Sequence, residues 1–334
     1  MSSGMRDYAL RKIIYLVITL MVIIAFNFFL FRVMPGDIAS TMIPKGINES
    51  VRENITKYFN LDRPLHEQFL LYIEDVFTLD FGISATYRMG VPVNEVLGPK
   101  IINTIILVGI GTILAIYLGV ALGKAAGWNR GKAKDTFGMS FALVFYSMPT
   151  FLFALILLMI FAGTLGWFPE RGAVGQLPWD RSVQTEDDLG LINMIISRGY
   201  HLFLPIVAFT LEILAEFALI TRNSLTDVLT EDYITTARAK GLSNYSVLND
   251  HAMRNAMLPV VTIMAISVGW VLGGTIMVEI VFSYDGLGLL TYDAVLAKDF
   301  PLLQVLFLIM AIAVLIANFI ADIVYFYLDP RVKV

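Results

Sequence analysis

The chain has 334 residues, 57% hydrophobic and 16% charged, with a mean hydropathy of +0.73 and a formal charge of −4. Soluble domains run nearer about 45–50% apolar and about 25% charged, so disorder, coiled coil and an ordinary soluble enzyme are excluded. The lack of cysteine excludes disulfide frameworks, thiolate metal sites and cysteine nucleophiles; three scattered histidines, His66, His201 and His251, make no metal centre, and the charge balance gives no nucleic-acid-binding surface.

A bilayer core about 30 Å thick requires about 20 apolar helical residues. Six stretches meet that length: 13–31, 101–123, 137–161, 202–220, 257–282 and 302–327. Together they hold only four charges, Glu212, Glu216, Glu279 and Asp322, where an even spread would place about 21. The chain therefore reads as an all-α polytopic membrane protein. Its first stretch follows Arg11 and Lys12, exceeds the apolar region of a secretion signal and lacks a small-residue cleavage site, so it reads as a retained span. No linker or internal repeat divides the chain, and 1–334 reads as one integral domain.

Between spans one and two, residues 32–100 form a long segment. Phe69, Leu70, Ile73 and Phe77 recur there at helical spacing, after a helix start at Asp62-Arg63-Pro64. They predict an amphipathic helix near 66–77, lying on the membrane or against the bundle. In span two, Gly119, Gly123 and Gly127 repeat every four residues, which lets another helix pack closely. Pro149 removes a backbone hydrogen bond in span three and predicts a kink.

Glu212 and Glu216 stand one turn apart on one face of span four, and Glu279 lies near the end of span five. Carboxylates within a membrane are costly and by default mark a pathway or a partner. All three are candidates for a translocation route, with pairing to Arg222 or to a second membrane subunit as the structural alternatives. Asp322, with Asn318 one turn earlier, reads as a tie from span six to its neighbours.

The segment between spans four and five, 221–256, is the most polar on its side. Thr230 or Asp232 can cap a helix that stops near Gly241, with Arg238 and Lys240 close to its negative end. A second short helix starts near Ser243, and Ala237, Ala239 and Gly241 leave room for a partner. Thirteen Lys and Arg fall in 68 residues on the side that carries this segment and both termini, against eleven in 128 on the other. The positive-inside rule then places 221–256 and both termini in the cytoplasm.

The string Asp232-Tyr233-Ile234-x-Thr236-Ala237-Arg238-Ala239-Lys240-Gly241-Leu242 is followed by His251-Ala252-x-Arg254-Asn255-Ala256-x-x-Pro259. It resembles the "EAA" loop of the membrane permeases of binding-protein-dependent ABC importers, in its dipeptide/oligopeptide/nickel form. The resemblance runs on through Met34-Pro35-Gly36-Asp37, Leu61-Asp62-x-Pro64, Asp80-Phe81-Gly82-x-Ser84, Tyr146-Ser147-Met148-Pro149, Phe282-x-x-x-Gly286-Leu287-Gly288 and Asp329-Pro330-Arg331. Thr235-Thr236-Ala237 replaces the general Glu-Ala-Ala, and His251-Ala252-Met253-Arg254 replaces Ile-x-Leu-Pro. Both departures are ones the peptide branch shows.

The resemblance implies a type I importer permease of six transmembrane helices in the cell membrane. Its loop, including Asp232, Tyr233, Thr236, Ala237, Arg238, Ala239, Lys240, Gly241, Leu242, His251, Arg254 and Asn255, would seat on a cytoplasmic ATPase. The implied partners are a second homologous permease, two ABC ATPase subunits and an extracytoplasmic binding protein. ATP and magnesium would sit on the ATPases, with no cofactor in this chain. The implied cargo is di- or oligopeptides, with nickel chelates or oligosaccharides as alternatives. Both Gly-Lys pairs, Gly123-Lys124 and Gly131-Lys132, are followed by alanine, so the phosphate-binding G-x-x-x-x-G-K-[ST] pattern is lacking and ATP hydrolysis is expected elsewhere. A proton-coupled secondary transporter with Glu212 and Glu216 as its relay also fits the spans, but gives the Tyr233–Pro259 string no purpose.

Overall fold

The computed structural model describes residues 3–33, 53, 56–180, 189–269 and 275–328. The main helices are α1 (Ser3–Val33), α2 (Leu65–Thr78), α3 (Val93–Trp128), α4 (Ala133–Ser147) and α5 (Thr150–Leu157), the last carried on by a π-helical turn, Leu158–Thr164. They continue with α6 (Leu191–Val228), α7 (Asp232–Ala239), α8 (Met253–Gly269), α9 (Ile276–Val281), α10 (Leu287–Ala297) and α11 (Phe300–Leu328). A short turn of helix at Asn244–Ser246 and a π-turn at Val247–Ala252 lead into α8.

Helices α1, α3, α6 and α11 are long and apolar enough to cross a bilayer, and α4 with α5 makes a fifth span as a pair bent by 99°. Of the predicted fifth stretch, α8 and α9 are seen; 270–274 between them lie outside the described residues, as do Met34-Pro35-Gly36-Asp37 and Asp329-Pro330-Arg331.

The most extensive contact joins α3 to α6. A Cβ at Gly119 would stand 2.7 Å from the Leu214 carbonyl oxygen, and one at Gly123 would meet the Ala218 carbonyl closer still. With hydrogen at those positions the two backbones touch, and dispersion supplies the association that hydrophobicity cannot supply in lipid. Ala115, Ala215, Phe217 and Ala218 are fully buried along the seam. At its C-terminal end Arg222 donates to Asp135 twice, Nε to Oδ1 at 2.6 Å and Nη2 to Oδ2 at 2.8 Å, clasping α4 to α6.

α1 is peripheral, packed along α11, with Lys12 paired to Asp322 at 2.6 Å. In α2, Phe69, Tyr72, Ile73 and Val76 face Ile24 and Leu308, whereas Leu70 and Phe77 are exposed. The helix is amphipathic as predicted but rotated: the buried stripe follows i, i+3, i+4, i+7 from Phe69, and Leu70 and Phe77 fall outside it.

At the same end of the bundle, the fully buried Asp299 carboxylate gathers the 84–87 backbone. Ser84 Oγ donates to it at 2.6 Å, and the amides of Ala85, Thr86 and Tyr87 at 3.2, 3.0 and 2.9 Å; the Leu302 amide adds a bond at 3.2 Å that caps α11. Burial pushes the carboxyl pKa up, but the bonds from Ser84, Thr86, Tyr87 and Leu302 outweigh it and hold the value below the ordinary one.

A carboxyl held low contributes stability above its unfolded pKa of about 3.9 and loses it as pH falls below that value. The amides of 85–87 are therefore expected to be protected from hydrogen exchange at pH 6, relative to intrinsic rates, and to lose protection on acidification below about pH 4. Asp299→Ala should remove that protection at both pH values. Gly123→Leu should drive α3 off α6 and cost about 1–3 kcal/mol, read as a lowered thermal unfolding midpoint in detergent.

Candidate functional site

Two groups of residues carry function-like geometry, one on α7 and its supports, the other at the break between α4 and α5. The N-cap of α7 is Glu231, whose side chain makes no capping bond. Thr230 instead donates to the Asp227 carbonyl at 2.7 Å, and Asp232 lies in the first turn, so neither predicted cap is used. The predicted stop does form. Gly241 has φ 78°, and the amides of Gly241 and Leu242 donate to the carbonyls of Arg238 (3.0 Å) and Ala237 (3.4 Å). This is the Schellman closure, which requires a left-handed residue. A Cβ at Gly241 would meet nothing within 4 Å, so the backbone angle alone calls for glycine.

Ile234 and Ala237 bury the inner face of α7 against Leu225, Val247, Ala252, Met253 and Ala256. Ala237 is thus spent on the chain's own packing, not left open for a partner. The Arg238 guanidinium lies over the Trp128 ring at 5.9 Å. Asn255 Nδ2 donates to Tyr233 Oη at 2.7 Å, joining the two halves of the motif across 22 residues. Asp232, Tyr233, Thr236, Arg238, Ala239, Lys240, Gly241, Leu242, Arg254 and Asn255 are exposed, and His251 is half-buried. The result is a short rod braced on α6 and α8, with a polar face turned outward.

The second group starts from a chain break in apolar surroundings. α4 ends at Ser147, Met148 is extended at φ −83° and ψ 131°, and Pro149 caps α5. Pro149 thus marks a right-angle break where a kink was predicted. Irregular backbone at membrane depth is tolerated where it lines a cavity or is covered by protein. Here it lines a cavity of about 390 Å³ together with Tyr146, Thr150, Glu212 and Glu216. Thr150 Oγ1 donates to Glu212 Oε1 at 2.5 Å, while Glu216 is exposed. Arg222 is engaged by Asp135 and does not pair with either glutamate.

Glu279 stands apart from this cavity. It is fully buried and accepts bonds from Thr104 Oγ1 (2.9 Å) and from the amides of Gly288 (2.7 Å) and Leu289 (3.1 Å), which places it at the N-terminus of α10. Nothing in the spacing of the sequence signals Thr104, Thr150 or Asp135. Their roles come from contacts between residues 62 to 175 positions apart.

Residues 90–334 match the family described as binding-protein-dependent transport system inner membrane component, and residues 5–89 match its N-terminal component. The chain belongs to this family of transport permeases. It is similar to the oligopeptide transport system permease protein AppB of Bacillus subtilis, with 33% identity over 98% of this chain and 100% of that one. The glutathione transport system permease protein GsiC of Salmonella typhimurium is 34% identical over 98% of this chain and 99% of its own length. Among solved structures, the methionine ABC transporter MetNI in an inward facing conformation matches 70% of this chain and 97% of its own, with a TM-score of 0.54 at 15% identity. That likeness establishes a shared fold, that of a type I importer permease.

Asn255→Ala should remove one net hydrogen bond of about 1 kcal/mol and accelerate hydrogen exchange across 233–239 about fivefold. Gly241→Val should destabilise the same turn by about 1–2 kcal/mol. Exchange rates near 84–87 are expected to stay unchanged in both variants.

Proposed function

We propose that this permease is one transmembrane subunit of an ATP-driven importer that carries di- and oligopeptides into the cell by alternating access. The observation that carries the proposal is the full-length similarity to permeases named for oligopeptide and glutathione transport. The braced, outward-facing α7 supports the coupling half of the reading. α7 seats in a groove of a cytoplasmic ATPase, and closure of an ATPase pair on ATP moves α6 and α8 as one body. A loose loop would absorb that movement; the Ile234 and Ala237 packing and the Tyr233–Asn255 bond transmit it.

Hydrolysis falls to separate ATPase subunits, which hold ATP and magnesium. A second homologous permease completes the route, and an extracytoplasmic binding protein delivers cargo to the face opposite α7. Both termini and α7 are cytoplasmic, in keeping with the distribution of Lys and Arg. Glu212 and Glu216 line the broken-span cavity and face the route, where they meet the ammonium of a peptide.

Uptake of a labelled dipeptide into proteoliposomes tests the whole reading. Uptake is expected only with the ATPases and ATP present. A pH gradient driving uptake through this subunit alone would identify a secondary transporter instead, and uptake of a nickel chelate or an oligosaccharide in place of peptides would reassign the cargo. Glu212→Gln combined with Glu216→Gln should lower uptake of peptides with a free amino terminus by about tenfold, equivalent to about 1.4 kcal/mol, and leave N-acetylated peptides unaffected.

A further inference from the structure

Away from both groups, four buried polar atoms that complete no well-formed hydrogen bond belong to residues that line one cavity, and two of them, on Tyr72 and Gln304, face each other. It measures about 310 Å³ and lies where the C-terminal end of α1 meets α2 and the first turns of α11, at the opposite end of the bundle from α7. The atoms are Arg32 Nε, Tyr72 Oη, Gln304 Nε2 and Gln68 Oε1. Gln68 is only 7% exposed, and its amide nitrogen is already held by the Arg63 carbonyl at 2.7 Å, which leaves the oxygen as a free acceptor. Buried polar groups are satisfied in native proteins by protein, water or a bound molecule.

The charges in this cavity are separated rather than paired. The Arg32 guanidinium lies 5.4 Å from the Phe28 ring centroid and meets no carboxylate among the described residues. Asp75 and Asp80, both solvent-exposed, line the mouth of the same space, and no described cation pairs with them. Partial burial, with Asp80 and Glu74 beside it, pushes the Asp75 pKa up. A simple anion would be repelled by the aspartates and a simple cation by Arg32. A zwitterion satisfies both ends, its anionic part meeting Arg32, Tyr72 and Gln304 and its ammonium meeting Asp75, Asp80 and the Gln68 oxygen.

The seam continues into the membrane. Asn27 lies one turn before Phe31 on the same stripe of α1, and its Nδ2 donates to the Gln304 carbonyl at 3.0 Å. Ile23 and Thr19 extend that stripe, and Ala311 and Leu315 extend the stripe of Gln304 along α11. These four, with Met310, Val314 and Asn318, line a second, mostly apolar cavity of about 420 Å³. Phe31 and Ile23 are eight residues apart, about 12 Å along a helix. Phe26, Phe29 and Leu30 on the flank of α1 are exposed, as a lipid-facing surface is.

We propose that the α1–α11 seam binds a phospholipid with a zwitterionic, primary-amine headgroup, of the phosphatidylethanolamine class, with its headgroup in the polar cavity and an acyl chain in the apolar one. A free dipeptide carries the same end charges but has no chain to occupy the second cavity, and this separates the two sources.

The test is native mass spectrometry of the full-length chain, purified in mild detergent with its co-expressed partners and offered an equal mixture of phosphatidylethanolamine, phosphatidylcholine and phosphatidylglycerol. Retention of phosphatidylethanolamine at least tenfold above the other two is expected. Arg32→Gln with Gln304→Leu should abolish that preference, and so should Ala311→Trp, which fills the apolar cavity and leaves every residue of the polar one in place. Equal unfolding midpoints of wild type and variants in lipid-free detergent are expected to accompany the loss. Equal retention of the three lipids, undiminished preference in the variants, or displacement of the bound lipid by millimolar free dipeptide would each overturn the assignment.

Discussion

The backbone contact between α3 and α6 is the constraint on which the remaining arrangement depends. Gly119 and Gly123 let two long spans approach until Cα faces carbonyl oxygen. α6 is thereby fixed along its length, and it presents Glu212 and Glu216 to the break in the neighbouring span, Arg222 to Asp135, and Leu225 to the underside of α7. One helix thus carries both the intramembrane carboxylates and the platform for α7. A shift of α6 would be felt at both.

The buried and part-buried acids divide by what satisfies them. Asp135 is clasped by a guanidinium, Asp322 is paired with Lys12, Asp299 is wrapped by backbone amides, and Glu279 is held at a helix N-terminus with a threonine hydroxyl. Each of these has partners that offset its desolvation within the chain. Glu212 has one hydroxyl, and Glu216 stands exposed at the cavity. Of the two glutamates beside the broken span, only Glu212 has a side-chain partner among the described residues.

Much of this is legible in the sequence. Charge exclusion marked the long spans because a bilayer penalises charge at every position. Gly241 marked the end of α7 because a left-handed residue is a local demand, and the four-residue glycine repeat marked a close helix contact. What could not be read depended on contacts distant in sequence. The capping role of Glu279 needs Thr104, and the clasp on Arg222 needs Asp135. The rotation of the buried face of α2 depends on where Ile24 and Leu308 lie. Pro149 announced a disruption but not its angle, because the proline keeps Met148 out of the helical region while the course of α5 beyond it also depends on packing against α6.

In the function proposed above, the broken-span cavity is a route whose access alternates with the nucleotide state felt at α7. The lack of native cysteine makes a direct measurement simple. Ser147→Cys, placed at the break, can be labelled with a membrane-impermeant maleimide from each side of a proteoliposome containing the assembled transporter. The account predicts reaction from the α7 side without nucleotide and from the opposite side with ATP trapped on the ATPases. Labelling that is absent from both sides in both states, or unchanged by ATP, would contradict it.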